Sequence, residues 1–306
     1  MQMENNKSSL LQGEEQLKEQ VSSVDTKELL SLSTNSGGKG FYCDAMDETQ
    51  INTVIGPEFP HLIILIGFSE FGKSTFVASL YHKAMSEGKI GDYEFFDSDT
   101  FAGFERRAYI RNVKLNPRKR FDRTTTNEGC FLTMNFSKES KTIKLIISDK
   151  SGETYKNDYT ANQNSVNKDQ ALINGKHLIF FIDSKILISD EDFLEFESSF
   201  NLLLKRMKNA TVFEKEKKID IIFNKMDLIE ENEKQEFECQ VKVLSEKIED
   251  ISGMNVNQQF FICSNKMANN EKLADVFNYI VSSCEQNGER VLPETDWVNS
   301  YLKNKK

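Results

Sequence analysis

Eight consecutive residues, Gly67-Phe68-Ser69-Glu70-Phe71-Gly72-Lys73-Ser74, fit the pattern G-x-x-x-x-G-K-[ST] and follow directly on the apolar run at 62–66. That placement requires a strand, a tight loop and a helix in this order. Phe76, Val77, Leu80, Tyr81 and Ala84 then recur at helical spacing, which supplies the helix. A loop of this kind turns successive backbone N–H groups toward phosphate, and the helix behind it adds its positive end. Lys73 is placed to reach the β and γ phosphates and Ser74 to ligate Mg²⁺, with Gly67, Phe71, Gly72 and Thr75 completing the expected phosphate-binding set. Four fixed positions in eight can still arise by chance, so the remainder of the chain has to agree.

Three later segments do agree. The apolar run ending at Ser148 leads into Asp149-Lys150-Ser151-Gly152-Glu153, a D-x-x-G element. At a strand end the aspartate holds Mg²⁺ and the glycine N–H meets the γ-phosphate. The run at 219–223 ends in Asn224-Lys225-Met226-Asp227, of N-K-x-D form. The Asp227 carboxylate can accept two hydrogen bonds from guanine, which adenine cannot offer, and the Lys225 stem can lie along the base. Buried acceptors left unmade reject the wrong ligand strongly. The run at 260–263 ends in Ser264-Asn265-Lys266, similar to an S-A-K loop whose backbone N–H meets the guanine oxygen.

These four elements, each at the carboxyl end of a predicted strand, resemble those of the P-loop GTPases over about 62–284. The stretch from Gly72 to Tyr81, the D-x-S-G-E ending and the long segment between the first helix and second strand resemble the double-GTPase group. That group lies in the translation-factor-related class and is found in bacterial conflict and defence gene clusters. The resemblance implies an α/β P-loop domain with a mostly parallel six-stranded sheet and helices on both faces, and the polar, Ser/Asn/Glu-rich residues before it read as a flexible N-terminal arm. The resemblance also implies GTP or GDP as ligand, Mg²⁺ as cofactor, and work alongside other proteins.

The switch threonine is expected within Arg123-Thr124-Thr125-Thr126, where Thr126 is the position taken for metal and γ-phosphate contact, although sequence does not choose among the three. Arg123 precedes Thr126 by three residues, as does the arginine that some GTPases supply in cis, and it also belongs to an exposed basic run. Positions where related GTPases carry a water-orienting glutamine or histidine hold Glu153 and Tyr155 here. An ionised carboxylate accepts from water but repels a γ-phosphate, so slow hydrolysis is expected. The reading is therefore a slow GTPase acting as a switch on protein partners. A hydrolysis-poor guanine-nucleotide scaffold is the alternative.

Net charge of −9 argues against a broad nucleic-acid surface, and the basic stretch at 106–123 is read as a solvated helix and loop. Five cysteines without C-x-x-C spacing and three scattered histidines give no metal or disulfide framework. With no apolar run long enough to span a bilayer, a cytoplasmic protein is expected, with self-association left open. The organisation expected is a polar arm at 1–55, a GTPase domain at 56–286 with a switch insertion at about 88–130, and a C-terminal extension at 287–306.

Overall fold

The structure, a computed structural model, is described for residues 43–51, 60–111, 129–139, 141–263 and 271–285. Its centre is β1 (His61–Ile66), a run of aliphatic residues whose last four positions are buried. Such continuous burial is what a strand covered on both faces requires. The chain reverses through the phosphate-type loop into α1 (Lys73–Glu87). Gly72 opens this helix at φ 95°. Gly88 closes it at φ 71°, its N–H donating to Ala84 O. Both conformations favour glycine. Phe76, Val77, Leu80, Tyr81 and Ala84 are buried, as their spacing predicts.

The sheet has eight strands rather than the six expected. Beyond α1 run β2 (Lys89–Ile90), β3 (Tyr93–Asp97) and α2 (Phe101–Arg111), followed by β4 (Phe131–Lys138) and β5 (Lys141–Ser148). The two additional strands form a hairpin inside the predicted switch insertion, turning at Gly91 (φ 56°). Aromatic packing holds that hairpin in place, since Tyr93 meets Phe277 at a ring separation of 6.0 Å and Phe95 meets Phe136 at 5.6 Å.

After β5 come α3 (Gln163–Lys168), α4 (Gln170–Asn174), β6 (His177–Asp183) and α5 (Asp190–Asn209). The chain then continues through β7 (Lys218–Asn224), α6 (Lys234–Ser252), β8 (Val256–Phe261) and α7 (Glu271–Glu285). The strand order is β2-β3-β4-β5-β1-β6-β7-β8. From β5 to β8 neighbours run parallel, while β2, β3 and β4 add antiparallel pairings at one side.

The apolar stripes of α5 and α6 face the core. Phe200 of α5 packs on Phe180 of β6, and Phe237 of α6 on Phe223 of β7. Burial of such a stripe, rather than helix propensity, supplies most of the stability of a helix in a protein. Residues 43–51, assigned from sequence to the polar arm, instead pack on the domain. Met46 bridges Phe131 in both hydrogen-bond directions, at 2.9 and 3.0 Å, and Ile51 is buried. Three apolar side chains in a polar stretch suffice for this anchoring. The earlier part of the arm and the C-terminal extension lie outside the described residues, as does Trp297. Among the described residues no helix is long and apolar enough to cross a membrane.

Candidate functional site

The carboxyl ends of β1, β5 and β7 bring three of the four sequence elements together. The loop after β1 is fixed from beneath by its own two phenylalanines. Phe68 and Phe71 are buried against Phe196 of α5, at ring separations of 6.0 and 5.8 Å. With those side chains turned into the core, the backbone of the loop is left to line the site. Lys73 is only 5% exposed, and its ammonium donates to the carbonyls of Gly67 (2.5 Å) and Phe68 (3.2 Å). These neutral partners serve a buried cation less well than an anion would.

Ser74, in the first turn of α1, donates from Oγ to Asp149 Oδ1 at 2.7 Å. Asp149 stands just past β5 and is fully buried. A hydroxyl and a carboxylate in contact at a helix N-terminus are hard oxygen donors, the set that Mg²⁺ prefers. Mg²⁺ is commonly held by one or two protein oxygens plus phosphate and water. A richer cage is not needed, and among the described residues no group of three His, Cys, Asp or Glu side chains stands ready for a metal. Ser74 and Asp149 therefore fit the metal-binding role.

Gly152 of the D-x-x-G element lies against the phosphate-type loop itself, and a Cβ there would run into the backbone of Phe68 and Ser69. Glu153 follows, its N–H donating to Ser151 Oγ at 3.3 Å. Tyr155 is fully buried, its ring 5.6 Å from the Lys73 ammonium, and its hydroxyl has no hydrogen-bond partner among the described residues.

The N-K-x-D element is tied to the same loop. Asn224 donates from Nδ2 to Phe71 O at 3.0 Å, and Gly72 leaves no space for a Cβ against that amide. Asn224 Oδ1 is buried without a partner among the described residues. Lys225 adopts φ 64° and pairs with Asp183 of β6 at 2.5 Å, which holds its stem across the loop. Asp227 is exposed in the turn Met226–Leu228. Ser264, Asn265 and Lys266 lie outside the described residues, as do Arg123 and Thr124 to Thr126.

The basic stretch corrects one expectation. Arg107 is not solvated: it is 4% exposed, and its Nε donates to Asp149 Oδ2 at 2.7 Å. Helix α2 packs on α1, with Phe104 stacked on Tyr81 at 4.9 Å, and this directs the same face of α2 toward the site. A charged residue sharing the stripe of Gly103 and Phe104 is the signal that sequence offered. Unforeseen too is a buried cluster behind the D-x-x-G element, where Lys150 pairs with Asp169 at 2.5 Å and Tyr159 donates to the same carboxylate. Burial opposes the charge on Asp169, but Lys150 and these hydrogen bonds hold its carboxyl below the usual range. Nearby Glu48 is pushed up to about 7, by burial first and by the Asp169 charge second.

A mixed α/β sheet with this loop, this hydroxyl–carboxylate pair and this order of elements is that of a P-loop GTPase domain. The chain belongs to the Double-GTPase 2 family, whose model matches residues 61–279. No curated protein matches it. Similar solved structures include the bacterial selenocysteine-specific elongation factor EF-Sec, at 14% identity and TM-score 0.41, with 74% of this chain and 29% of that one covered. SsGBP in complex with GDP aligns at 15% identity and TM-score 0.37, covering 85% and 57%. Sup35 complexed with GDP aligns at 15% identity and TM-score 0.34, covering 67% and 37%. The chain thus spans less than two thirds of the length of each.

Proposed function

We propose that this chain binds GTP and GDP with Mg²⁺, hydrolyses GTP slowly to GDP and phosphate, and acts as a nucleotide-controlled switch on a protein partner. The observation that carries the reading is the 2.7 Å contact between Ser74 Oγ and Asp149 Oδ1 beside the buried Lys73. In this reading the N–H groups of 67–75 and the Lys73 ammonium hold the phosphates, and Ser74 and Asp149 hold Mg²⁺, which screens the developing charge when bound. Asn224 keeps the loop in place from its neighbour, Lys225 lies along the base, and Asp227 selects guanine. The 264–266 segment caps the base, and one of Thr124, Thr125 and Thr126 closes over the γ-phosphate with Arg123 beside it.

Glu153 is the reason for slow turnover. Its carboxylate can orient a water only as acceptor, and it stands where negative charge is least welcome. The same residue favours a second reading, a scaffold that holds guanine nucleotide with little hydrolysis. Membership of the Double-GTPase 2 family supports guanine nucleotide as ligand and, through the resemblance of the group, a setting in bacterial conflict or defence. We place the protein in the cytoplasm.

The test is binding of fluorescent GDP and release of phosphate from GTP by the purified chain in Mg²⁺, with excess ATP as competitor. Guanine-specific binding with slow release that depends on Lys73 supports the switch. Binding without release supports the scaffold, and displacement of GDP by ATP would sink both.

A further inference from the structure

Arg107 belongs to none of the nucleotide-binding motifs, yet it makes the closest charge contact that Asp149 has. The Asp149 carboxylate is fully buried, with Ser74 on one oxygen and Arg107 Nε on the other, both at 2.7 Å. A carboxylate so enclosed requires a compensating cation. The guanidinium is held on its other sides too, donating to Gly103 O at 3.1 Å within α2 and to Gly129 O at 3.4 Å just before β4. It therefore joins α2 and the residue just before β4 to the carboxylate.

We propose that Arg107 is a resident counter-cation for Asp149, that Mg²⁺ and Arg107 oppose one another at this carboxylate, and that metal loading thereby biases helix α2. The proposal rests on the reading of Ser74 and Asp149 as metal ligands. A divalent ion joining the carboxylate would stand near a guanidinium that has little water to screen it, and like charges repel strongly in such surroundings. Relief comes from movement of Arg107, and α2 is coupled to that movement. Arg106 pairs with Asp44 at 2.5 Å, and Glu105 accepts from the Tyr81 hydroxyl at 2.6 Å. Whatever displaces Arg107 is felt by α1, by α2 and by the 43–51 segment. By linkage, a partner that holds α2 in place weakens metal binding to the same degree.

Two variants, Arg107→Gln and Arg107→Lys, test this with two readouts. The first is thermal melting without nucleotide, with and without Mg²⁺. Arg107→Gln is expected to melt about 10 °C below the unaltered protein without metal, because its carboxylate is uncompensated. Added Mg²⁺ is expected to restore much of that difference while moving the unaltered protein little. The second is the Mg²⁺ concentration that half-maximally slows release of fluorescent GDP, expected to fall on the order of tenfold in Arg107→Gln. Arg107→Lys keeps the charge and should lie between the two, and it carries the comparison if the glutamine variant does not fold without metal. An equal or higher Mg²⁺ requirement in both variants would mean that Arg107 orients the carboxylate instead of opposing the metal, and would overturn the proposal. Should no form of the protein bind guanine nucleotide, the functional reading fails, while the melting series still decides the role of Arg107.

Discussion

Buried polar groups stand at both ends of the central sheet, away from the sequence motifs at one end and inside them at the other. At the amino-terminal end, where β6 and β7 begin, Asp220 has both oxygens matched, by His177 Nε2 at 2.6 Å and by the Tyr279 hydroxyl at 3.1 Å. Close by, the Lys217 ammonium donates to the carbonyls of Leu172, Ile173 and Gly175 at 3.2, 2.8 and 2.6 Å. At the carboxyl-terminal end, Asn224 Oδ1 and the Tyr155 hydroxyl are buried without hydrogen-bond partners among the described residues, beside the Lys73 ammonium that donates to loop carbonyls. Unmatched buried polar atoms are costly and rare in folded proteins. Such atoms also occur away from the site among the described residues, at Asn135, Gln163, Asn201 and Arg206, so it is their place inside the sequence motifs that singles out Asn224 and Tyr155.

Substitutions should therefore separate the two ends by what they damage. At the carboxyl end, Lys73→Ala is expected to slow phosphate release by two to three powers of ten while the melting temperature hardly changes. Single-turnover release and a thermal melt on one preparation would check this, and equal turnover would sink the assignment. At the amino end, Asp220→Ala is expected to lower stability by about 3 kcal/mol in denaturant unfolding, since it orphans His177 and Tyr279, while GDP affinity is unchanged. A loss of GDP affinity there would blur the division.

A finer comparison removes one hydroxyl from each end. Tyr279→Phe should cost about 1 kcal/mol, because Asp220 Oδ1 loses its donor. Tyr155→Phe should be neutral or slightly stabilising, since it deletes a buried hydroxyl that has no partner among the described residues. Equal losses in the two variants would refute the contrast drawn here.

The smallest effect concerns pH. Glu48, facing Lys150, Asp169 and Asp47, is raised from 4.5 to about 7. A raised carboxyl binds its proton more tightly in the folded state, so this contribution to stability is full below pH 4.5 and lost as pH rises toward 7. Because the side chain is 42% exposed, the expected fall is only about 1 kcal/mol. Glu48→Gln should flatten the unfolding midpoint across that window. Asp169, held low, acts in the opposite sense and at more acid pH.

Much of this site was legible in the sequence because its chemistry is fixed by short spacings beside apolar runs. Gly72, Lys73, Ser74, Asp149, Gly152 and Asn224 could be placed at strand ends for that reason, and the structure brings them within one region. Arg107 was not legible as part of it. The contact with Asp149 spans 42 positions and depends on α2 stacking on α1, which no local pattern encodes. Composition misled as well, for a basic stretch usually means solvent, and here one arginine of the run turned inward. The β2–β3 hairpin was missed despite Gly88 and Gly91, since strands of two and five residues carry too little alternation to stand out. Residues 43–51 were hidden by their polar neighbours, although Ala45, Met46 and Ile51 are all buried.

The close approach of Gly152 to the backbone of Phe68 and Ser69 has a consequence for how this lineage can diverge. Any side chain there must push the loop after β1 out of shape, and compensation would need a coordinated change in main chain rather than a second substitution. The position is therefore expected to stay glycine in every descendant that keeps the loop. Its neighbour Glu153 already carries a side chain without that conflict, so exchange there is the route by which rates can be tuned.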